Sequence, residues 1–96
     1  MNKNKIFVGN LPFSMSGYSL KDLFFHYGQI TDVEIISESN TGRSKGFGYI
    51  TFFNQSDAKK ARLGMNGKDV EGQNIIVNIT WFKQVVYREK FIALIF

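Results

Sequence analysis

The sequence predicts an α+β domain whose elements follow one another as β-α-β-β-α-β. Three observations carry that reading. Four short stretches alternate apolar residues at a period of two, as half-buried strands do. Two others carry apolar or small residues at helical spacing, one turn apart on one face. The whole chain has 96 residues, which is one domain's worth.

The first strand is Lys5 to Asn10, with Ile6 and Val8 on one face and Phe7 and Gly9 on the other. Leu11-Pro12-Phe13-Ser14 reads as a turn, and Ser16 is placed to cap the first helix. Leu20, Leu23, Phe24 and Tyr27 form that helix's inner stripe, and Gly28 ends it. Phe25 falls off the stripe, and His26 reads as a solvated helix-end residue.

The second strand is Ile30 to Ser37, with Val33 and Ile35 inward and Glu34 and Ile36 outward. A polar loop from Ser37 to Ser44 leads into the third, Lys45 to Phe52. Here Gly48, Ile50 and Phe52 suit a core, while Phe47, Tyr49 and Thr51 point the other way. Gly46 and Gly48 are expected to leave room around the rings. Asn54 is expected to cap a second helix over 55–65, with Ala58, Ala61 and Met65 inward and Lys59 and Lys60 on a solvated face. Asn66-Gly67 ends it. After a turn at Val70-Glu71-Gly72, the fourth strand runs from Asn74 to Thr80, with Ile75, Val77 and Ile79 opposed to Ile76, Asn78 and Thr80.

Composition narrows the function. Hydrophobic content of 44% and charged content of 21% fit a folded domain. Without cysteine there are no disulfides, thiolate metal sites or cysteine nucleophiles, and a single histidine cannot build a histidine-rich metal site. No paired carboxylates or Ser–His arrangement suggests an enzyme, and no cofactor is implied. Gly46-Phe47-Gly48 lacks the third glycine of a phosphate-cradling loop, since Thr51 stands there. No signal peptide opens the chain and no apolar run is long enough to span a bilayer, so a cytoplasmic, intracellular location is expected. A net charge of +4 mildly favours a polyanionic partner.

Aromatic content of 16%, with ten phenylalanines, needs a use. A sheet that hides Ile50 and Phe52 on one face has no structural need for Phe47 and Tyr49 on the other. Flat rings beside the cation of Lys45 suit unstacked bases, because every base has a π-face and every nucleotide a phosphate.

Lys45-Gly46-Phe47-Gly48-Tyr49-Ile50-Thr51-Phe52 also resembles the signature octamer of the RNA-recognition motif, with Tyr49 and Ile50 as the variations. Ile6-Phe7-Val8-Gly9-Asn10-Leu11 resembles the family's hexamer, in the correct order and at a suitable separation. The resemblance covers about residues 5–80. It implies a ferredoxin-like βαββαβ sandwich, a four-stranded antiparallel sheet backed by two helices, with octamer and hexamer strands side by side at its centre. Single-stranded RNA is the partner it implies, with Phe7, Phe47 and Tyr49 stacking on bases and Lys45 and Arg43 contacting phosphate. Lys5 and Asn78 would reach base edges or backbone at the sheet margin. Single-stranded DNA stays open, since stacking does not read the 2′-hydroxyl.

The chain thus divides into a domain over 1–80 and an apolar extension over 81–96. From Trp81 to Phe96 most residues are large and apolar, where the resembled family usually continues with polar or basic sequence. Four fates are open for the extension: a third helix across the aromatic face, an added strand, a homodimer or protein-partner segment, and a membrane-surface segment. The alternative function is accordingly a protein-interaction or dimerisation domain whose sheet the extension covers.

Overall fold

The computed structural model describes residues 3–80, so the fates of Trp81 to Phe96 lie outside the described residues. The elements are β1 (Lys5–Gly9), α1 (Gly17–Phe24), a 3-10 turn (Phe25–Tyr27), β2 (Ile30–Ser37), β3 (Ser44–Phe52), α2 (Gln55–Met65), β4 (Asp69–Val70), β5 (Gln73–Asn74) and β6 (Ile76–Ile79). The main sheet has the order β2-β3-β1-β6, with every neighbouring pair antiparallel. β4 and β5 form a separate two-stranded ribbon. The architecture is the ferredoxin-like sandwich, and the hexamer and octamer strands are the two central ones.

Alternation along the strands builds the core. Ile6, Val8, Ile50, Phe52 and Val77 turn to the helices and meet Leu20, Phe24, Ala58, Ala61 and Met65, all of them buried. Ala58 and Ala61 carry only a methyl each, which lets α2 lie close over β6, β1 and β3. Ser16 caps α1 as expected, its hydroxyl accepting from the Ser19 N–H at 3.1 Å. Leu23 and Tyr27 pack at the core's edge, and Phe25 is 59% exposed.

Local expectations at both helices and at the last strand are corrected. The first helix is not one α-helix up to Gly28: it tightens to 3-10 geometry at Phe25, and the Gly28 N–H donates to the Phe25 carbonyl at 3.1 Å. A Cβ on Gly28 would collide with the side chain of Asp57, so the turn is pressed against the start of α2. Asn54 holds the N-cap position of α2, but its side chain makes no cap bond. Its Nδ2 donates to Asp57 Oδ2 at 3.4 Å instead.

The last strand starts at Ile76 rather than Asn74. Asn74 pairs with Asp69 in the ribbon, and Ile75 exchanges hydrogen bonds with Lys68 and Gly67 at 2.9 and 2.7 Å. The ribbon's turn residues Glu71 and Gly72 both have positive φ, 52° and 89°, the conformation a two-residue hairpin turn requires. Thr80, beyond the strand, is buried, and its N–H and hydroxyl both donate to the Lys5 carbonyl at 3.0 Å.

Among the described residues β6 is an edge of the sheet, and side chains accept from its outward N–H groups. Val77 donates to Asn66 Oδ1 at 2.8 Å and Ile79 to Asn78 Oδ1 at 2.9 Å. An edge satisfied in this way offers less of a template to another strand.

Candidate nucleic-acid interface

The face of the sheet away from the helices is built by the same alternation. Register places Phe7 beside Tyr49 on one flank and Asn78 on the other. Phe7, Phe47 and Tyr49 then form a triangle. Ring centroids are 5.6 Å apart for Phe7–Phe47, 5.9 Å for Phe7–Tyr49 and 6.4 Å for Phe47–Tyr49. The first pair is tilted and the other two are edge-on, the latter an arrangement that aromatic quadrupoles favour.

The rings are less open than a surface platform suggests. Phe47 is half-buried, Tyr49 is 9% exposed and Phe7 is 0% exposed. Phe7 sits centrally against both other rings and leans over its own strand. A Cβ at Gly9 would come within 2.7 Å of Phe7 Cε2, so the glycine of the hexamer leaves space for this ring.

The octamer's glycines serve a different purpose from the one expected. A Cβ at Gly48 would strike the Glu34 carbonyl oxygen, so Gly48 lets β2 and β3 approach each other beside the irregularity between Ile35 and Ser37. Gly46 adopts φ +85°, and a Cβ there would lie 2.9 Å from Phe13 Cε1. Its carbonyl accepts from the Leu11 N–H at 2.8 Å, which holds the turn after β1 against the start of β3.

Charge surrounds the rings. The Lys5 ammonium stands 4.9 Å from the centroid of Tyr49, a cation–π contact. Glu34 is in register with Tyr49 across β2 and is exposed. Asn78 commits its Oδ1 to Ile79. Arg43 and Lys45 are exposed at the end of the sheet and line one open groove of about 620 Å³ with Phe13, Glu38 and Ser44. The loop that carries Arg43 is held together internally. The Glu38 N–H donates to the Arg43 carbonyl at 2.8 Å, the Thr41 hydroxyl to Glu38 Oε1 at 2.9 Å, and the Arg43 N–H to Thr41 Oγ1 at 3.2 Å.

The seven residues singled out from the sequence therefore fall into two groups. Phe7, Phe47, Tyr49, Lys5 and Asn78 share the outer face, while Arg43 and Lys45 stand together at its end. The sequence marks Phe13 only as a turn residue. It is 76% exposed and lines the end groove, and the signal was an aromatic inside a turn. Among the described residues no three His, Asp or Glu side chains are placed to hold a metal ion, and no helix is long and apolar enough to cross a membrane.

A four-stranded antiparallel sheet with helices on one face and clustered rings on the other defines a class of small α+β sandwich. The model of the RNA recognition motif family matches residues 6–76, and the chain belongs to that family. It is 43% identical over 74 residues to a glycine-rich RNA-binding protein of Daucus carota, an alignment spanning 77% of this chain and 47% of that protein. It is 37% identical over 78 residues to the mitochondrial glycine-rich RNA-binding protein 3 of Arabidopsis thaliana, spanning 81% of this chain and 25% of that one. The chain thus spans half or less of these relatives' length. Among solved structures, RNA Binding Protein PG1 superimposes with a TM-score of 0.78 at 30% identity, covering 82% of this chain and 95% of that one. The Sxl-lethal protein/RNA complex superimposes at 0.77 and 26% identity, covering 81% and 48%.

Proposed function

We propose that the chain binds single-stranded RNA on the outer face of its sheet, with bases stacked on Phe47, Tyr49 and Phe7 and phosphates paired with Lys45 and Arg43. The observation that carries this reading is the ring triangle on the two central strands, with all centroids within 6.4 Å of one another. Membership of the family and the RNA-binding names of its relatives support the same partner.

The burial gradient sets an order of engagement. Phe47, the most open ring, meets a base first. Phe7 stacks only once the contacts already on it are exchanged for a base. Lys5 holds Tyr49 from one side, and Asn78 offers its amide donors at the margin. The domain is a binding module rather than an enzyme, and acts in the cytoplasm.

Each stacked base contributes about 1–3 kcal/mol by alanine substitution. Ordering the strand offsets part of that, which puts a single domain near micromolar affinity, about −8 kcal/mol. The test is isothermal titration of short single-stranded RNA into wild type, Phe47→Ala and Lys59→Ala. Phe47→Ala is expected to weaken binding roughly 5- to 150-fold. Lys59, exposed on α2 away from the rings, is expected to be neutral. Equal losses from both variants reject the platform. Wild type that sediments as a dimer and fails to bind RNA favours the protein-interaction alternative.

A further inference from the structure

We infer that Phe13 is a fourth stacking ring, and that its groove takes one more nucleotide of the same strand beyond the sheet. The inference rests on the RNA-binding reading and extends it to a site on the turn after β1.

Two open spaces meet at this end of the molecule. One, of about 240 Å³, touches Phe7, Gly9, Ile76, Phe13 and Lys45. The other, of about 620 Å³, runs from Phe13 and Lys45 on to Ser44, Arg43 and Glu38. Phe13 and Lys45 line both, so these two residues stand between the space at the central ring and the one at the loop between β2 and β3.

Phe13 is 76% exposed, and the fold gains little by displaying it. Its inner edge rests where Gly46 has no side chain. Gly46 needs its positive φ for the chain to pass, and the space beside it holds the ring at a fixed height at the end of the sheet. An aromatic held on one edge and open on its face is what a base stacks on.

The polar groups around the ring match a nucleotide. Lys45 and Arg43 supply cations for the phosphate on either side of the base. Glu38 carries the opposite charge. One of its oxygens accepts from the Thr41 hydroxyl at 2.9 Å, and an ionised carboxylate keeps acceptor capacity for a base amino group. A groove for bare phosphate would not keep a carboxylate there. A base bearing an exocyclic amino group (adenine, cytosine or guanine) reconciles all three charges, and adenine serves as the probe.

The experiment measures binding of tri- and pentaadenylate RNA to the full chain and to Phe13→Ala and Phe47→Ala, with melting curves to confirm that each variant folds. Truncating an exposed ring leaves the melting temperature of Phe13→Ala at the wild-type value. Wild type is expected to gain affinity from the three- to the five-nucleotide strand. Phe13→Ala is expected to bind the short strand like wild type but to lose roughly 5- to 150-fold of that gain. Phe47→Ala is expected to weaken both strands while keeping the gain. An unchanged gain in Phe13→Ala, with Phe47→Ala weakened on both strands, overturns the fourth ring and leaves the sheet platform intact. No weakening in Phe47→Ala on either strand overturns the platform itself, and the extension falls with it.

Discussion

The two faces of the main sheet are made by the same strands, residue by alternate residue, yet their apolar side chains answer to different demands. Ile6, Val8 and Ile50 are 0% exposed because two helices lie on them. Phe7, between Ile6 and Val8 in sequence, is also 0% exposed, but it lies outside that helix-packed cluster and against two further rings. Burial alone therefore does not separate core from site in this molecule. What separates them is the neighbour: aliphatic and helical on one face, aromatic and flanked by cations on the other.

Substituting one residue from each face sharpens that contrast most. Ile50→Ala removes a fully buried side chain from the helix-packed face. It should cost about 2–5 kcal/mol of folding stability, a large share of the ~5–15 kcal/mol that holds a domain together. Urea unfolding followed by circular dichroism measures it. The fraction that remains folded should bind RNA as wild type does. Phe47→Ala should do the reverse, leaving the urea midpoint nearly in place and taking its effect in affinity. A loss of affinity in folded Ile50→Ala as large as that of Phe47→Ala would mean the two faces are coupled.

Gly48 breaks the simple division, because by alternation it belongs to the inner face but its nearest neighbours are main-chain atoms of β2. Its missing side chain lets β3 meet the main chain of β2 at Glu34. Gly48→Ala should push the edge strand away at a cost of about 1–3 kcal/mol. Amide exchange should quicken along Ile30–Ser37 and stay slow along Lys5–Gly9. Uniform quickening across both strands would show that the sheet opens as one unit.

The sequence made the strands and α2 legible because burial on one side imposes a period. The faces of β1, β2 and β3 follow from alternating apolar residues, and the inner stripe of α2 from Ala58, Ala61 and Met65. The β4–β5 ribbon has two-residue strands, too short to show any period, and its signal lay only in Glu71-Gly72. The tightening at Phe25–Tyr27 ends at Gly28, which Asp57 approaches closely from far along the chain. For the candidate site, the two motifs pointed to Phe7, Phe47, Tyr49 and Lys45, and the structure brings the three rings together. They could not reveal the burial of Phe7, the role of Gly48 or the groove at Phe13, since each depends on what a neighbouring strand or turn brings alongside.

The smallest expected effect tests whether charge at the end of the sheet acts locally or through the whole molecule. Lys45→Ala and Lys59→Ala each remove one exposed positive charge, and the net charge changes equally. A general field would make the two variants equivalent. A direct phosphate contact would not, because only the lysine that neutralises a phosphate releases a counterion when RNA binds. For single strands the slope of log affinity against log salt is about −0.7 per contact. With Arg43 and Lys45 both engaged, wild type should show a slope near −1.4, Lys45→Ala about −0.7, and Lys59→Ala the wild-type value. Binding measured over a salt series decides between them. Identical slopes for the two variants would remove Lys45 from the interface and leave the rings as the contact that holds the strand.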